Sequence, residues 1–287
     1  MKRFSPQHLA ASFLVFVSSC AAAAPTSFTV EVTGRGKPMI LIPGLASSGE
    51  VWKGTVAHFC ARYECHVLTL AGFAGVPPIG EPLLPAVEKD LAAYIDEKHL
   101  DHPVVVGHSL GGFLALKLAA DHPAKVGRIV VVDSLPALGA TQVPEITAEQ
   151  LKSMAGRMRD SMQSQEPATF AEGQRRAIVS MASNPEDQER ILGWGRKSDR
   201  ATVINAMYEL MSTDLRTDVE RIKAPTLVLG TWIAFKDYAP RSAIEGTYTA
   251  QYRKLPGVKV EIADKARHFI MYDDPEWMYQ RIDAFLG

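Results

Sequence analysis

The chain carries almost no net charge. Its 31 lysines and arginines are balanced by 32 aspartates and glutamates, a formal charge of −1 at pH 7. That excludes the broad single-sign field that gathers nucleic acid or an acidic membrane surface. Beyond the first two dozen residues no apolar run is long enough for a transmembrane helix. There is no internal repeat, and no low-complexity tract besides a few alanines near the start, so a solenoid is excluded. Cysteine is scarce, with 3 among 287 residues. Cys20 precedes the expected mature start, and the pair Cys60 and Cys65 is too small a set for a metal centre. What remains, 47% hydrophobic and 22% charged, is ordinary for a globular protein of one large domain, with or without an insert.

The N-terminus reads as a secretory signal over residues 1–24. Lys2 and Arg3 give a positive start, Leu9 to Val17 is apolar and too short to span a bilayer, and Ala21 to Ala24 suit cleavage. Val17-Ser18-Ser19-Cys20 also resembles a bacterial lipobox, and lipidation at Cys20 is the one route to a membrane. The expected location is the periplasm or the medium. Export puts Cys60 and Cys65 in an oxidising compartment. A local disulfide of modest stabilisation and two buried thiols both remain open there.

Strand signals recur along the mature chain. Ser27 to Thr33 alternates, with Phe28, Val30 and Val32 on one face. Pro38 to Pro43, His66 to Leu70, Arg128 to Asp133, Pro225 to Gly230 and Val258 to Ile262 read as buried strands. Helices are expected at Val51 to Tyr63, Leu83 to Leu100 and Pro275 to Leu286, the last capped by Asp274. Such alternation implies an α/β fold, a mostly parallel sheet flanked by helices on both faces. The rhythm breaks between Ser134 and Ile222, where helices are expected at about 148–163, 169–182 and 200–211. That insert is too long for a loop. We read residues 137–220 as a helical cap over the carboxyl edge of the sheet, and 25–136 with 221–287 as the core.

The densest signal is Val104-Val105-Val106-Gly107-His108-Ser109-Leu110-Gly111-Gly112. A β-branched run leads into Gly-x-Ser-x-Gly, and Phe113 to Ala120 continues as a helix. This strand–turn–helix is the setting of a nucleophile elbow, which lifts a strained serine off the sheet edge. Without that context the motif would be a Gly-rich turn with Ser109 capping a helix.

With that elbow, Pro43-Gly44-Leu45 after a strand and Trp52 downstream, the Ala71-Gly72-Phe73 loop, and Arg267-His268-Phe269 near the end, the chain resembles the α/β-hydrolase family. The resemblance runs from about Phe28 to Leu286. It implies Ser109 as nucleophile and His268 as its base, since His268 follows the last strand and precedes the final helix. Two aspartates suit the order Ser…Asp…His. Asp133 ends the strand after the elbow helix, where some members carry their acid. Asp237 follows the next strand, where most carry it, but six residues, Thr231 to Lys236, separate it from Gly230. A strand tip positions an acid better than a long aromatic loop, which favours Asp133. The oxyanion hole is expected from the backbone N–H groups of Leu45 and Leu110.

The resemblance implies hydrolysis of a carboxylic ester or related acyl bond through an acyl-enzyme, with no metal or organic cofactor. The partner is a small molecule with an apolar part, and no nucleic acid. Trp232 and Phe235 are pocket candidates, Trp194 and Tyr208 are open, and Met154, Met158 and Met162 form a helical stripe that suits packing or an apolar wall. The same residues would also serve a cofactor-free perhydrolase, a lyase or an acyltransferase, and the fold is compatible with a non-catalytic binding protein.

Overall fold

Strand residues that alternate in which face they bury, with both faces apolar, need helices on both sides of a sheet. In the computed structural model Met39 and Leu41 join one core while Ile40 and Ile42 join the other. Val104 and Val106 oppose Val105, Val130 and Val132 oppose Ile129 and Val131, and Leu227 and Leu229 oppose Val228. The structure describes residues 1, 27–80, 82–141 and 143–287. The expected export signal, Met1 aside, and Cys20 lie outside them.

The strands are β1 (Phe28–Gly34), β2 (Lys37–Ile42), β3 (Tyr63–Leu70), β4 (Val104–His108), β5 (Arg128–Val132), β6 (Thr226–Thr231) and β7 (Lys259–Ala263). Among the described residues they form one sheet in the order β1-β3-β2-β4-β5-β6-β7. Only β1 is antiparallel, pairing Phe28 with Leu70 at the sheet edge. β1 is the expected alternating strand, but at the edge its burial fades along its length, and Val32 is 55% exposed. An edge strand has no outer neighbour to cover its end.

Helices α1 (Lys53–Phe59) and α10 (Pro275–Leu286) cover one face, through Phe59, Met278 and Ile282. The other face is covered by α2 (Leu83–Glu97), α3 (Leu110–Asp121) and α8 (Arg241–Tyr252), through Val87, Phe113 and Tyr252. Burying each such side chain contributes about 1.5–3 kcal/mol. Cys60 follows α1 and Cys65 lies in β3; the two form a disulfide with Cα atoms 5.7 Å apart.

Between β5 and β6 the chain leaves the sheet for α4 (Ala148–Gln163), α5 (Pro167–Met181), α6 (Pro185–Lys197) and α7 (Arg200–Ser212). Side-chain caps start three of them. Thr147 and Gln150 form a reciprocal capping box on α4, Asn184 caps α6, and Asp199 caps α7. Besides the single-turn helix at Ile270–Asp273, two helices were not expected. Gly193 and Gly195 weaken the pattern of α6, and Gly246, Thr247 and Thr249 that of α8. No described helix is long and apolar enough to cross a membrane.

Candidate active site

Ser109 sits where β4 meets α3, with φ 52° and ψ −119°. This conformation costs a non-glycine residue about 1–3 kcal/mol. Backbone bonds hold it there: Ser109 N–H donates to Val132 O at 2.9 Å, and Phe113 N–H to Ser109 O at 3.1 Å. The elbow requires its glycines. A Cβ on Gly107 would lie 2.1 Å from Gly111 O, and one on Gly111 would lie 2.2 Å from Ile42 O. Ser109 is the N-cap residue of α3, yet its side chain makes no capping bond. The hydroxyl is therefore not spent on the helix.

Asp133 follows β5 directly, with φ 47°. Its N–H donates to Leu229 O at 2.7 Å, which seats it between β5 and β6. Its Oδ2 lies 2.6 Å from His268 Nδ1. Its Oδ1 accepts from Thr231 N–H and Thr231 Oγ1–H, both at 3.1 Å, and from the Tyr248 hydroxyl. Tyr248 comes from α8 and reaches the strand tip because position 230 has no side chain: a Cβ there would lie 2.5 Å from Tyr248 Cζ. The tip of β6 thus holds the Asp133 carboxylate through Thr231. Asp237 lies on the exposed turn after a short 3₁₀ segment at Ile233–Phe235. Burial, and then the Asp133 charge, keep the Tyr248 phenol well above its usual range, so it remains a proton donor. Tyr248→Phe is expected to fold and to lower kcat about tenfold with KM unchanged, because one of three donors that orient Asp133 is lost. Steady-state kinetics check this.

His268 lies in the loop between β7 and α9 (Ile270–Asp273). The cap is tied to this loop. Phe269 N–H donates to Met181 O at 3.1 Å, Arg267 Nη1 to Val179 O at 2.7 Å, and Ser183 N–H to Asp273 Oδ1 at 2.9 Å. The buried ring of His108 packs 4.6 Å from that of His268, centroid to centroid. Its Nε2 donates to His268 O at 3.1 Å, which leaves Nδ1 the unprotonated nitrogen. Nδ1 is buried, with no hydrogen-bond partner among the described residues.

Burial, and then the nearby His268, hold the His108 pKa well below the usual histidine value. Unfolding restores the ordinary value of ~6.5, so the unfolded chain binds the extra proton in the window just below it. Stability therefore falls as pH drops through that window. His66, also lowered chiefly by burial, adds to the fall. His108→Asn is expected to reduce the slope of stability against pH there by up to about 1.4 kcal/mol per unit. Denaturant titrations across the window measure it.

Ser109, His268, His108 and Leu45 line one wall of a cavity of about 330 Å³, and the cap supplies the opposite wall through Phe170, Ile178, Met181 and Met207. Among the described residues, no acceptor takes the N–H of Leu45 or of Leu110. The cavity brings together Ser109, His268 and Leu45, with Asp133 behind His268. It does not include the expected aromatics. Trp232 turns its indole N–H to Asp264 Oδ1 at 3.2 Å, and Phe235 is 49% exposed. Trp194 is buried in the second core, and Tyr208 lies under the Arg159 guanidinium. Of the methionine stripe only Met162 reaches the cavity. Gln165 and Gln174 line it too; both read as polar residues of a helical insert, and no sequence signal distinguished them. Among the described residues no group of three or more His, Cys, Asp or Glu is placed to hold a metal ion.

Comparison with known proteins gives a consistent picture. The model of the alpha/beta hydrolase family matches residues 39–281. The pimeloyl-[acyl-carrier protein] methyl ester esterase of Aeromonas hydrophila is 26% identical over 275 residues, covering 91% of this chain and 100% of that protein. The N-formylmaleamate deformylase of Pseudomonas putida is 24% identical over 268 residues, 88% of this chain and 90% of its own. Among solved structures, a thermophilic esterase from Thermogutta terrifontis superposes with a TM-score of 0.72 at 22% identity, covering 90% of this chain and 92% of that one. At that identity the likeness speaks to the fold.

Proposed function

This chain belongs to the alpha/beta hydrolase family, and on that premise we propose that it is an exported serine esterase with Ser109, His268 and Asp133 as its triad. The observation that carries the reading is the 2.6 Å contact of Asp133 Oδ2 with His268 Nδ1, on a cavity where the Ser109 hydroxyl makes no capping bond. Asp133 commits Nδ1 as a donor, so Nε2 is the nitrogen left to accept a proton. Ser109 Oγ attacks the ester carbonyl as its proton passes to His268 Nε2. The negative charge that develops on the carbonyl oxygen is met by the N–H groups of Leu45 and Leu110. Being fixed in advance, each contributes a few kcal/mol, about 3. Asp133 stabilises the imidazolium. His268 then protonates the departing alkoxide, and water, activated by the same ring, hydrolyses the acyl-enzyme and returns Ser109.

Export is supported by the charged, then apolar, then small-residue start of the sequence, and independently by the Cys60–Cys65 disulfide, a bond at home in oxidising compartments. The apolar wall under the cap suits a small ester with an apolar part.

A chain-length series of p-nitrophenyl esters, run with the mature protein and with Ser109→Ala, tests the reading. Turnover that is lost in the variant is the expected result. No turnover above the variant on any ester would point instead to a fold kept for binding. Cell fractionation with mass determination of the N-terminus tests export: the expected product starts near Ala24 or at a lipidated Cys20, and an intact Met1 in the cytoplasm would overturn that part.

A further inference from the structure

The cavity is not a plain hydrocarbon slot. Among the described residues that line it there is no aspartate, glutamate, lysine or arginine. Besides Ser109, His268, His108 and Ser47, whose hydroxyl donates to Leu45 O, the hydrogen-bonding side chains that line it are those of half-buried Gln165 and Gln174, both carried by the cap. Neither amide makes a hydrogen bond within the described protein.

Both are set in an ordered wall. Arg200, which does not line the cavity, donates to the main-chain carbonyls of Met162 and Gln165 and stacks 4.6 Å from the Phe170 ring centre. One arginine thus holds three lining residues in place. Gln174 faces Gly195 of α6: a Cβ there would come within 4.0 Å of both amide heavy atoms.

Resting on the esterase reading, we propose that Gln165 and Gln174 select the substrate class: an uncharged ester whose acyl part carries a second hydrogen-bonding group, a carbonyl or hydroxyl, under the cap. Two physical terms favour it. Solvent can satisfy amides that a cavity leaves open, and a plain alkyl chain that displaces it leaves their donors and acceptors unpaired. A chain with its own carbonyl or hydroxyl restores the bonds. A terminal carboxylate would enter without a counter-charge, and an unpaired buried charge costs more than an unpaired dipole.

The test uses p-nitrophenyl hexanoate, its analogue with a ketone at the carbon before last, and the p-nitrophenyl monoester of adipic acid. Wild type is expected to take the keto ester best in kcat/KM, by about tenfold over hexanoate, and the carboxylate worst. Gln165→Leu and Gln174→Leu should erase the keto preference through KM while kcat stays within about twofold, with melting temperatures like wild type. Gln174→Lys should improve the carboxylate relative to the other two. Preference for hexanoate, preference for the carboxylate, or an equal loss on all three esters in both Leu variants would each overturn the proposal while leaving the esterase reading intact. Failure to hydrolyse any of the three would overturn both.

Discussion

Asp133→Asn is expected to lower kcat by about 10³- to 10⁴-fold, while Asp237→Asn stays within about twofold of wild type. The reason lies in the donors around Asp133. Thr231 N–H, Thr231 Oγ1–H and the Tyr248 hydroxyl all point at one carboxylate oxygen. An asparagine at 133 satisfies them only by turning its amide oxygen to that side. Its NH2 then faces His268 Nδ1, which must become an acceptor. The ring carries its proton on Nε2 instead, where it cannot take one from Ser109. Asp237 is exposed and bonds to nothing in the site, so its amide changes nothing there. Steady-state hydrolysis of one p-nitrophenyl ester by the two variants, with melting temperatures as a folding control, checks both halves. A large loss in Asp237→Asn with a small one in Asp133→Asn would move the acid to Asp237.

Ser109→Ala, His268→Ala and the double variant are expected to lose about the same activity, each by about 10⁵- to 10⁶-fold in kcat. A serine without its base is an ordinary alcohol, and a base without its serine has nothing to activate, so the second deletion removes little that the first has left. Independent contributions would multiply in the double variant. Residual hydrolysis by the polar backbone groups at Leu45 and Leu110 sets the floor common to all three. Ser109 and His268 line the open cavity and neither belongs to the buried core, so the variants should retain their fold.

What the sequence disclosed followed from how local each constraint is. The elbow was legible because its demands fall within a few consecutive residues: a β-branched strand, glycines where a Cβ would fall only 2.1 and 2.2 Å from backbone oxygens, and a helix behind them. The choice of Asp133 over Asp237 rested on the stiffness of a strand tip, and the structure joins Asp133 to His268. Its supports were not legible. Tyr248 lies on a helix masked by Gly246 and two threonines, and reaches Asp133 only because Gly230 lacks a side chain. The aromatics of the loop after β6 invited a pocket assignment, but the 3₁₀ turn carries Phe235 to the surface and Trp232 to Asp264. Gln165 and Gln174 show the same limit. On a helix, as for Gln174, or in the turn between two helices, as for Gln165, a polar residue facing a cavity and one facing bulk water have the same pattern, and only tertiary packing separates them.

The most direct test of the central claim is covalent. The mature protein is treated with diisopropyl fluorophosphate, beside Ser109→Ala, and both are read by intact mass and peptide mapping. The account predicts one adduct per chain, mapped to Ser109, with parallel loss of ester hydrolysis and no adduct in the variant. An active enzyme that stays unlabelled, or is labelled at another residue with its hydrolysis lost, would contradict it.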